Sequence, residues 1–517
     1  MQVSFRKQLI KGWMFRAVHK KEKIAIPVSM REWIVCCFAF TTLVFTAWSF
    51  GGYRDWTLHL LFFGAVCTFL ASIFPMPLAW NGYDRQQGNV KNLKRLFSSP
   101  FFWVSLCFLF YILIQYANPS MEQIKGERTW WIEAVKPPLG AEFPSSVQAD
   151  YSEMNALRAW VGHLAAFALA LGVWVGIQRR KTALILLWGF VLSGVGMGFV
   201  AILQKLSGTN KILWFFETVS LYPKLWGTFV YRNQGASYLI LIMLISGLLY
   251  FFYLKRSREQ LKQGGPHFLC FLFLFLLYGS TWMALSRGGI ILGSVLVLFF
   301  CGLAFLQNGL NLFKGGSKWL SLLFLAFMVI GGLFMLQLFN WKEIDRRMED
   351  LQAISQNIES YSRTLSTQAT WDMAQDRLSY GWGAGSFRYV FPIYQKEYDS
   401  LWFHNFHKKR GWQGRKVYQY AHNDWVQFLA EYGIVGCSFL ALLFIFLLGL
   451  SYKVFQLSAL AGSFYLVGLA VIALHNFVDF IFSSPSYWVA FWASLLLVLK
   501  LFYLENKSLK RSANKAL

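Results

Sequence analysis

A histidine followed by two polar residues stands where a long polar segment gives way to an apolar one, in residues 420–433. The three residues are His422, Asn423 and Asp424. Histidine titrates near neutral pH, so His422 is placed to take a proton from a hydroxyl group. Asn423 or Asp424 would orient its ring. The alternative is that His422 caps the following helix or binds a lipid headgroup without chemistry.

Two arginines lie beside apolar segments on the same predicted side as His422. Arg232 comes just before one apolar segment, and Arg287 lies in the glycine-rich turn 285–289 between two others. A guanidinium group binds phosphate oxygens in bidentate fashion, so the two arginines would suit a diphosphate that carries a lipid tail. Snorkelling at a helix end explains Arg232 equally well. The tight turn favours a functional role for Arg287.

Further polar and glycine residues extend the candidate site. His475 and Asp479 are four residues apart, on one face of an apolar helix, and a polar pair there is not expected to face lipid. Hydrogen bonding between neighbouring helices is slightly favoured over a role in the site. The glycines of 381–385 permit close approach of the backbone. Candidate substrate-binding residues are Asn423, Asp424, Gly383, Gly385, His475 and Asp479.

The composition indicates the kind of protein that positions these residues. It is 56% hydrophobic and only 14% charged, whereas soluble domains carry about 25% charged residues. An all-α polytopic membrane protein is therefore predicted, because a spanning helix needs about 20 apolar residues. About twelve segments qualify: 33–50, 57–80, 100–118, 156–178, 182–204, 233–254, 267–285, 289–307, 318–339, 433–455, 458–482 and 487–504.

The basic residues predict the orientation of these helices. Lys and Arg recur in every second short loop and in both terminal tails, which is typical of the cytoplasmic side. This pattern accounts for the net charge of +24 without nucleic-acid binding. The predicted divisions are a basic tail (1–32), nine spans (33–339), a large outer loop (340–432), three spans (433–504) and a second basic tail (505–517).

The outer side is predicted to receive three segments, 119–155, 205–232 and 340–432. In the last, residues 342–358 and 363–378 have helical patterns. Residues 404–416 form a basic patch that would face lipid phosphates.

Motifs for metals and nucleotides are missing from the sequence. The outer loops hold no Asp-x-Asp or His-x-x-x-His pair, and no phosphate-binding loop of the Gly-x-x-x-x-Gly-Lys-Ser/Thr type is present. The seven cysteines all fall in apolar segments, without metal-ligand spacing. A metal and a cofactor are therefore not predicted.

The order of these motifs resembles the O-antigen ligase and O-antigen polymerase superfamily of bacterial envelope enzymes. The resemblance covers roughly residues 225–480. One departure is the sequence Tyr-Arg-Asn-Gln at 231–234, where many members carry Asn-Arg-Asn-His. The matching residues are Gly227, Thr228, Phe229, Arg232 and Asn233; 285–289; Trp371, Asp376 and 381–387; His422, Asn423, Asp424, Gln427, Glu431 and Gly433; and His475 and Asp479.

The resemblance implies a GT-C-like fold and glycosyl transfer on the outer face of the inner membrane, among membrane lipids and without a metal. The donor would be a glycan on undecaprenyl diphosphate. The acceptor would be a hydroxyl of lipid A core, of a growing polysaccharide, or of a protein Ser or Thr. His422 would act as the base, and Arg232 and Arg287 would hold the leaving group. A single base and direct displacement would invert the anomeric centre.

Two other classes of function compete with this hypothesis. A flippase for lipid-linked sugars would show inverted repeats and charges at the membrane midplane, but the sequence has no clear repeat and its notable charges cluster at the outer surface. A scaffold of an envelope complex would use the basic tails. The enzyme hypothesis requires Arg232, Arg287 and His422 to converge on one outer cavity.

Overall fold

The computed structural model describes residues 28–74, 85–127, 129–217, 225–259, 265–308, 361–407 and 411–513. Within these ranges, nine helices are long and apolar enough to cross a membrane. The predicted all-α polytopic membrane fold is therefore confirmed. The predicted span 318–339, the predicted helix 342–358 and most of the N-terminal tail lie outside the described residues, so the count of twelve spans stays a prediction.

Fifteen α-helices lie in the described residues, and the predicted spans there each overlap one of them. The helices are α1 (Met30–Thr46), α2 (Asp55–Ile73), α3 (Arg85–Phe97), α4 (Pro100–Ala117), α5 (Ala156–Gly176), α6 (Arg180–Leu206), α7 (Arg232–Glu259), α8 (His267–Met283), α9 (Arg287–Asn308), α10 (Ser362–Asp376), α11 (Phe387–Gln395), α12 (Asp399–Trp402), α13 (Asp424–Leu457), α14 (Ala459–Val478) and α15 (Pro485–Ala513).

Helices α7 and α15 form the centre of the bundle. A helix that is apolar on all sides is expected to be buried, and most of the spanning part of both helices is enclosed by the others. Tyr238 of α7 and Trp492 of α15 are fully buried. Since α7 begins at Arg232, the candidate site lies at one end of the best-packed part of the molecule.

Short strands accompany the predicted outer segments. Strands β1 (Pro119–Lys125), β2 (Trp130–Ala134) and β3 (Ser146–Gln148) form a sheet in the order β2-β1-β3, with β1 antiparallel to β2 and parallel to β3. Strands β4 (Phe403–His407) and β5 (Gly411–Arg415) form an antiparallel hairpin inside the predicted basic patch. Helix α10 confirms the helix predicted at 363–378.

Helix α13 breaks at Gly433, where the long outer loop meets the predicted tenth span. Gly433 has φ 61° and ψ −173°, a conformation that is essentially restricted to glycine. The break frees main-chain groups that a continuous helix would have paired. Two N–H groups beyond the break are satisfied by the outer loop, because Ile434 donates to the Leu378 carbonyl (2.8 Å) and Val435 donates to that of Ser379 (3.1 Å).

The same outer loop pairs with carbonyl groups before the break. Trp382 donates its backbone N–H to Ala430 (2.8 Å), and Gly383 donates to Glu431 (2.9 Å). Gly381 has φ 70°, and a Cβ there would lie 2.4 Å from the Glu431 carbonyl oxygen. Glycine at 381 therefore allows the two backbones to meet directly. We refer to the paired segments 378–383 and 430–435 as the main-chain seam.

Helix α4 supports the main-chain seam with two side chains. The Tyr111 hydroxyl lies 2.7 Å from the carbonyl oxygens of both Tyr380 and Tyr432. The Gln115 amide donates to the carbonyls of Tyr380 (3.1 Å) and Glu431 (3.2 Å). A buried carbonyl without a donor is costly, so α4 stabilises the join between the outer loop and α13.

Replacing Gly433 with Ala should lower the melting temperature by several degrees. The new Cβ would meet the Ser379 carbonyl oxygen at 2.4 Å and the Gly381 nitrogen at 2.6 Å, and the backbone conformation itself would cost about 1–3 kcal/mol. Gly449→Ala is the matched control, because Gly449 lies in the same helix and a Cβ added there would have no atom within 4 Å. Thermal unfolding of the purified protein in detergent measures both. Equal melting temperatures would show that the break does not depend on glycine.

Candidate active site

A buried carboxylate at the end of α14 brings four elements together. Asp479 follows the last residue of α14, and its side chain is 2% exposed. The Asn233 amide of α7 donates a hydrogen bond to it. Arg363 of α10 places Nη1 3.4 Å from Oδ2, and His422, just before α13, places Nδ1 3.4 Å from Oδ1. We refer to Asn233, Arg363, His422 and Asp479 as the Asp479 cluster.

The charge of Asp479 is maintained by its neighbours. Burial alone would raise the pKa of the carboxyl group, but Arg363 and His422 outweigh this effect and lower the pKa of Asp479 to about 2. Burial alone would lower the pKa of Arg363, but the nearby Asp479 carboxylate outweighs this effect and raises the pKa. An ion pair between Arg363 and Asp479 therefore persists at neutral pH, with His422 beside it.

His422 is held in an uncommon conformation. Its φ is 58°, in the left-handed region that non-glycine residues rarely adopt, and such strain is concentrated at functional sites. The ring meets Phe480 edge-on, with 4.7 Å between centroids. Its Nδ1 is buried and faces Asp479, at a separation longer than a well-formed hydrogen bond. The opposite nitrogen, Nε2, therefore points away from the carboxylate.

Asn423 and Asp424 have other partners than the ring of His422. The Asn423 side chain accepts from the Val426 N–H at 3.3 Å and caps α13. Asp424 is buried and accepts from the Phe482 N–H at 2.7 Å. The carboxylate that faces the His422 ring is Asp479. The expectation that Asn423 or Asp424 orients the ring did not include Asp479. Substrate binding by Asn423 and Asp424 stays a prediction.

The two predicted arginines open two helices that reach the Asp479 cluster. Arg232 is the first residue of α7, next to Asn233. Arg287 is the first residue of α9, and its Nη2 donates to the Tyr361 hydroxyl at 3.3 Å, two residues before Arg363. Its Nη1 is buried and has no hydrogen-bond partner in the part of the chain that the structure describes. Arg287 thus retains a donor for an anionic ligand.

His475 lies one helical turn before Asp479 and joins three helices. Its Nδ1 is 2.6 Å from the Ser237 hydroxyl of α7. A Cβ at Gly288 of α9 would lie 2.8 Å from its Nε2, so the glycine after Arg287 allows this close approach. The contact between His475 and Ser237 is a hydrogen bond between neighbouring helices, as the sequence slightly favours for His475.

Gly383 and Gly385 pack the outer loop against residues 145–155. Their φ values are 102° and 72°, and a Cβ on them would meet Ser146 at 2.4 Å and Met154 at 3.0 Å. These neighbours belong to β3 and to the segment before α5, not to the Asp479 cluster. The predicted role of the two glycines in substrate binding stays a prediction.

Several residues of the site escape sequence reasoning. Phe480 stacks between Tyr231 (4.7 Å) and Tyr420 (4.9 Å), and the Tyr231 hydroxyl accepts from Asn233 at 2.8 Å. Arg363 could have been found from its position in its helix. A cation in the first turn of a helix is unfavourable to the helix dipole, so its presence there indicates a partner outside the helix.

The site offers hydrogen-bond donors and a base instead of a set of metal ligands. Among the residues that the structure describes, no three His, Cys, Asp or Glu side chains are arranged to hold a metal ion. The donors are arginine guanidinium groups and the imidazole of His422, which suit an anion and an acceptor hydroxyl.

Arg363→Gln should destabilise the protein by a few kcal/mol, because it removes a counter-charge from a buried carboxylate. Asp479→Asn in the same background removes that charge and should recover part of the loss. The two changes should therefore be non-additive, with a coupling free energy of about 0.5–3 kcal/mol. Unfolding of the two single variants and the double variant measures it. Strictly additive effects would contradict the ion pair.

A comparison with known protein families gives a match for part of the chain. Residues 269–441 match the family model described as O-antigen ligase. The matched region runs from α8 into α13 and includes Arg287, Arg363 and His422. No curated protein matches the sequence significantly. This domain, about a third of the chain, supports a relation to the O-antigen ligase family.

Proposed function

We propose that the protein transfers a glycan from undecaprenyl diphosphate to an acceptor hydroxyl at the periplasmic face of the inner membrane. The family supports a ligase or polymerase type of function in general. The observation that carries the finer proposal is the meeting of His422 with a buried, ionised Asp479, on the same side of the bundle as Arg232 and Arg287.

In this proposal His422 is the general base. Its Nδ1 faces Asp479, which favours the tautomer with the proton on Nδ1 and leaves Nε2 to take the proton of the acceptor hydroxyl. The imidazolium that forms is stabilised by the carboxylate, as in other pairs of histidine and aspartate. The low pKa of Asp479 keeps the carboxylate charged, so the proton remains on His422 during the reaction.

The arginines hold the leaving group. The acceptor oxygen forms a bond to the anomeric carbon while the bond from that carbon to the phosphate oxygen breaks, so negative charge accumulates on the diphosphate. Arg287, whose buried Nη1 has no hydrogen-bond partner among the described residues, and Arg232 would stabilise this charge. Direct displacement inverts the anomeric centre. The proton on His422 then passes to solvent or to the released diphosphate. The proposed mechanism does not use a metal or a cofactor.

The candidate acceptors are lipid A core, a growing polysaccharide and a protein hydroxyl. These acceptors share the one group on which the mechanism acts, a hydroxyl within reach of His422. They differ in whether a lipid anchors them in the same membrane as the donor. An assay with purified acceptors distinguishes them directly.

His422→Ala should lower kcat about 10²–10⁴-fold, the range for loss of a general base. Arg287→Ala should also lower kcat, and Arg287→Lys should restore only part, because an ammonium group cannot bind phosphate in bidentate fashion. The assay uses purified protein, a lipid-linked donor and a panel of acceptors. His404→Ala is the matched control, since His404 is exposed on β4 of the same outer loop.

Two results would contradict the enzyme hypothesis. Activity of His422→Ala equal to that of the wild type would exclude His422 as the base. Movement of the donor across a proteoliposome membrane, with no transfer to any acceptor, would instead favour a flippase.

The proposed orientation predicts the behaviour of reporter fusions. Alkaline phosphatase, which is active only outside the cytoplasm, should be active when fused after residue 150 or 420 and inactive after residue 181 or at the C-terminus. Green fluorescent protein should give the opposite pattern. Active phosphatase at the C-terminus would reverse the predicted topology and place the Asp479 cluster at the cytoplasmic face.

A further inference from the structure

Helix α10 continues from the Asp479 cluster and has one face that the fold leaves exposed. Its buried side holds Ser366, Ala369, Thr370 and Met373, all fully buried. Its opposite side holds Trp371, which is 45% exposed. The neighbours of Trp371 on this side, at helical spacing, are Gln368, Asp372 and Gln375. The helix is thus anchored by one face while a large aromatic side chain stands on the other.

Two phenol groups in and just after α11 lie beside the carboxylates at the edge of this face. The hydroxyl of Tyr394, from α11, donates a hydrogen bond to Asp376. Burial and the nearby Asp372 carboxylate raise the pKa of Tyr398, just after α11. Each carboxylate retains lone pairs for a further donor. The Asp376 carboxylate is therefore held in place instead of moving freely in solvent.

We propose that this surface, formed by Gln368, Trp371, Asp372, Gln375, Asp376 and the two tyrosines, binds the glycan of the lipid-linked donor beyond the sugar that is transferred. The proposal rests on the proposed function. The C–H face of a sugar ring packs on an indole, while its hydroxyls donate to carboxylates and bond to amides. Such a combination of one aromatic platform and a few fixed polar groups is typical of specific ligand sites.

Membrane contact is the other common use of an exposed tryptophan. The surface around Trp371 does not suit it, because the charged carboxylates of Asp372 and Asp376 would lose hydration against lipid. A glycan has hydroxyl donors that match these carboxylates.

The position of the start of α10 indicates which glycan would lie along this helix. Tyr361, just before α10, contacts Arg287, the arginine proposed to hold the diphosphate. A sugar chain that leaves the diphosphate passes the first turn of α10 at Arg363. Trp371 is eight residues further, about 12 Å along the helix. An oligosaccharide reaches that far, whereas a single sugar does not. We therefore assign the surface to the donor glycan.

Transfer kinetics with two donors test this assignment. One donor carries a single sugar on the diphosphate, and the other carries several repeat units. Trp371→Ala should raise KM about tenfold for the long donor, from loss of one stacking contact, with kcat unchanged. KM for the short donor should not change, and Trp371→Phe should restore most of the effect. Trp131→Ala is the control, because Trp131 lies on β2 and is 44% exposed.

A binding measurement separates this proposal from the proposed function. The probe is the oligosaccharide released from the long donor by mild acid, and saturation-transfer NMR detects its contact with the protein in detergent. If the wild type binds the probe and Trp371→Ala does not, the surface is established even where no transfer occurs. Unchanged binding and unchanged KM for both donors in Trp371→Ala would overturn it. A change confined to the KM of the acceptor would overturn the assignment to the donor.

Discussion

The end of the helical bundle that carries the candidate site depends on a negative charge that is removed from solvent. A buried carboxylate is unstable unless opposite charge and hydrogen-bond donors surround it. For Asp479 these come from Arg363, His422 and Asn233, which belong to three elements distant in sequence. The constraint therefore determines how α7, α10 and the start of α13 meet α14. In the proposed mechanism the same carboxylate orients the His422 ring, so one interaction would serve both folding and chemistry.

Periodicity was sufficient to predict the described spans and the helix α10, because these depend on local sequence and on the bilayer. The side of the membrane on which the candidate residues lie stays a prediction from charge placement. The partner of His422 was not predictable in this way. Sequence proximity indicated Asn423 and Asp424, but Asn423 caps α13 and Asp424 binds Phe482. Asp479 lies more than fifty residues away, and only tertiary packing brings it to the ring. Strands β1, β2 and β3 were not predicted from the sequence, because the strands are short and include polar residues.

The two ends of helix α10 would have different roles in the proposed reaction. The first turn of α10 carries Arg363, which neutralises Asp479, and Tyr361 beside it contacts Arg287. The second half presents Trp371 and its flanking amides and carboxylates. Charged groups therefore lie where a diphosphate would be cleaved. Groups that accept hydrogen bonds from sugar hydroxyls lie where a sugar chain would extend. A rigid helix keeps these regions at a constant separation, which would fix the register of the glycan relative to the base.

The seam between residues 378–383 and 430–435 has a consequence for exchanging outer loops between relatives. Its bonds join main-chain atoms, and every amino acid except proline supplies the same main-chain donor and acceptor. The bonds of the seam therefore do not depend on side chains, but Gly381, Gly383 and Gly433 allow the close approach, and the side chains of Trp382 and Tyr432 are buried. A chimaera that receives a foreign loop up to this seam, with these residues kept, would retain its attachment to the membrane helices.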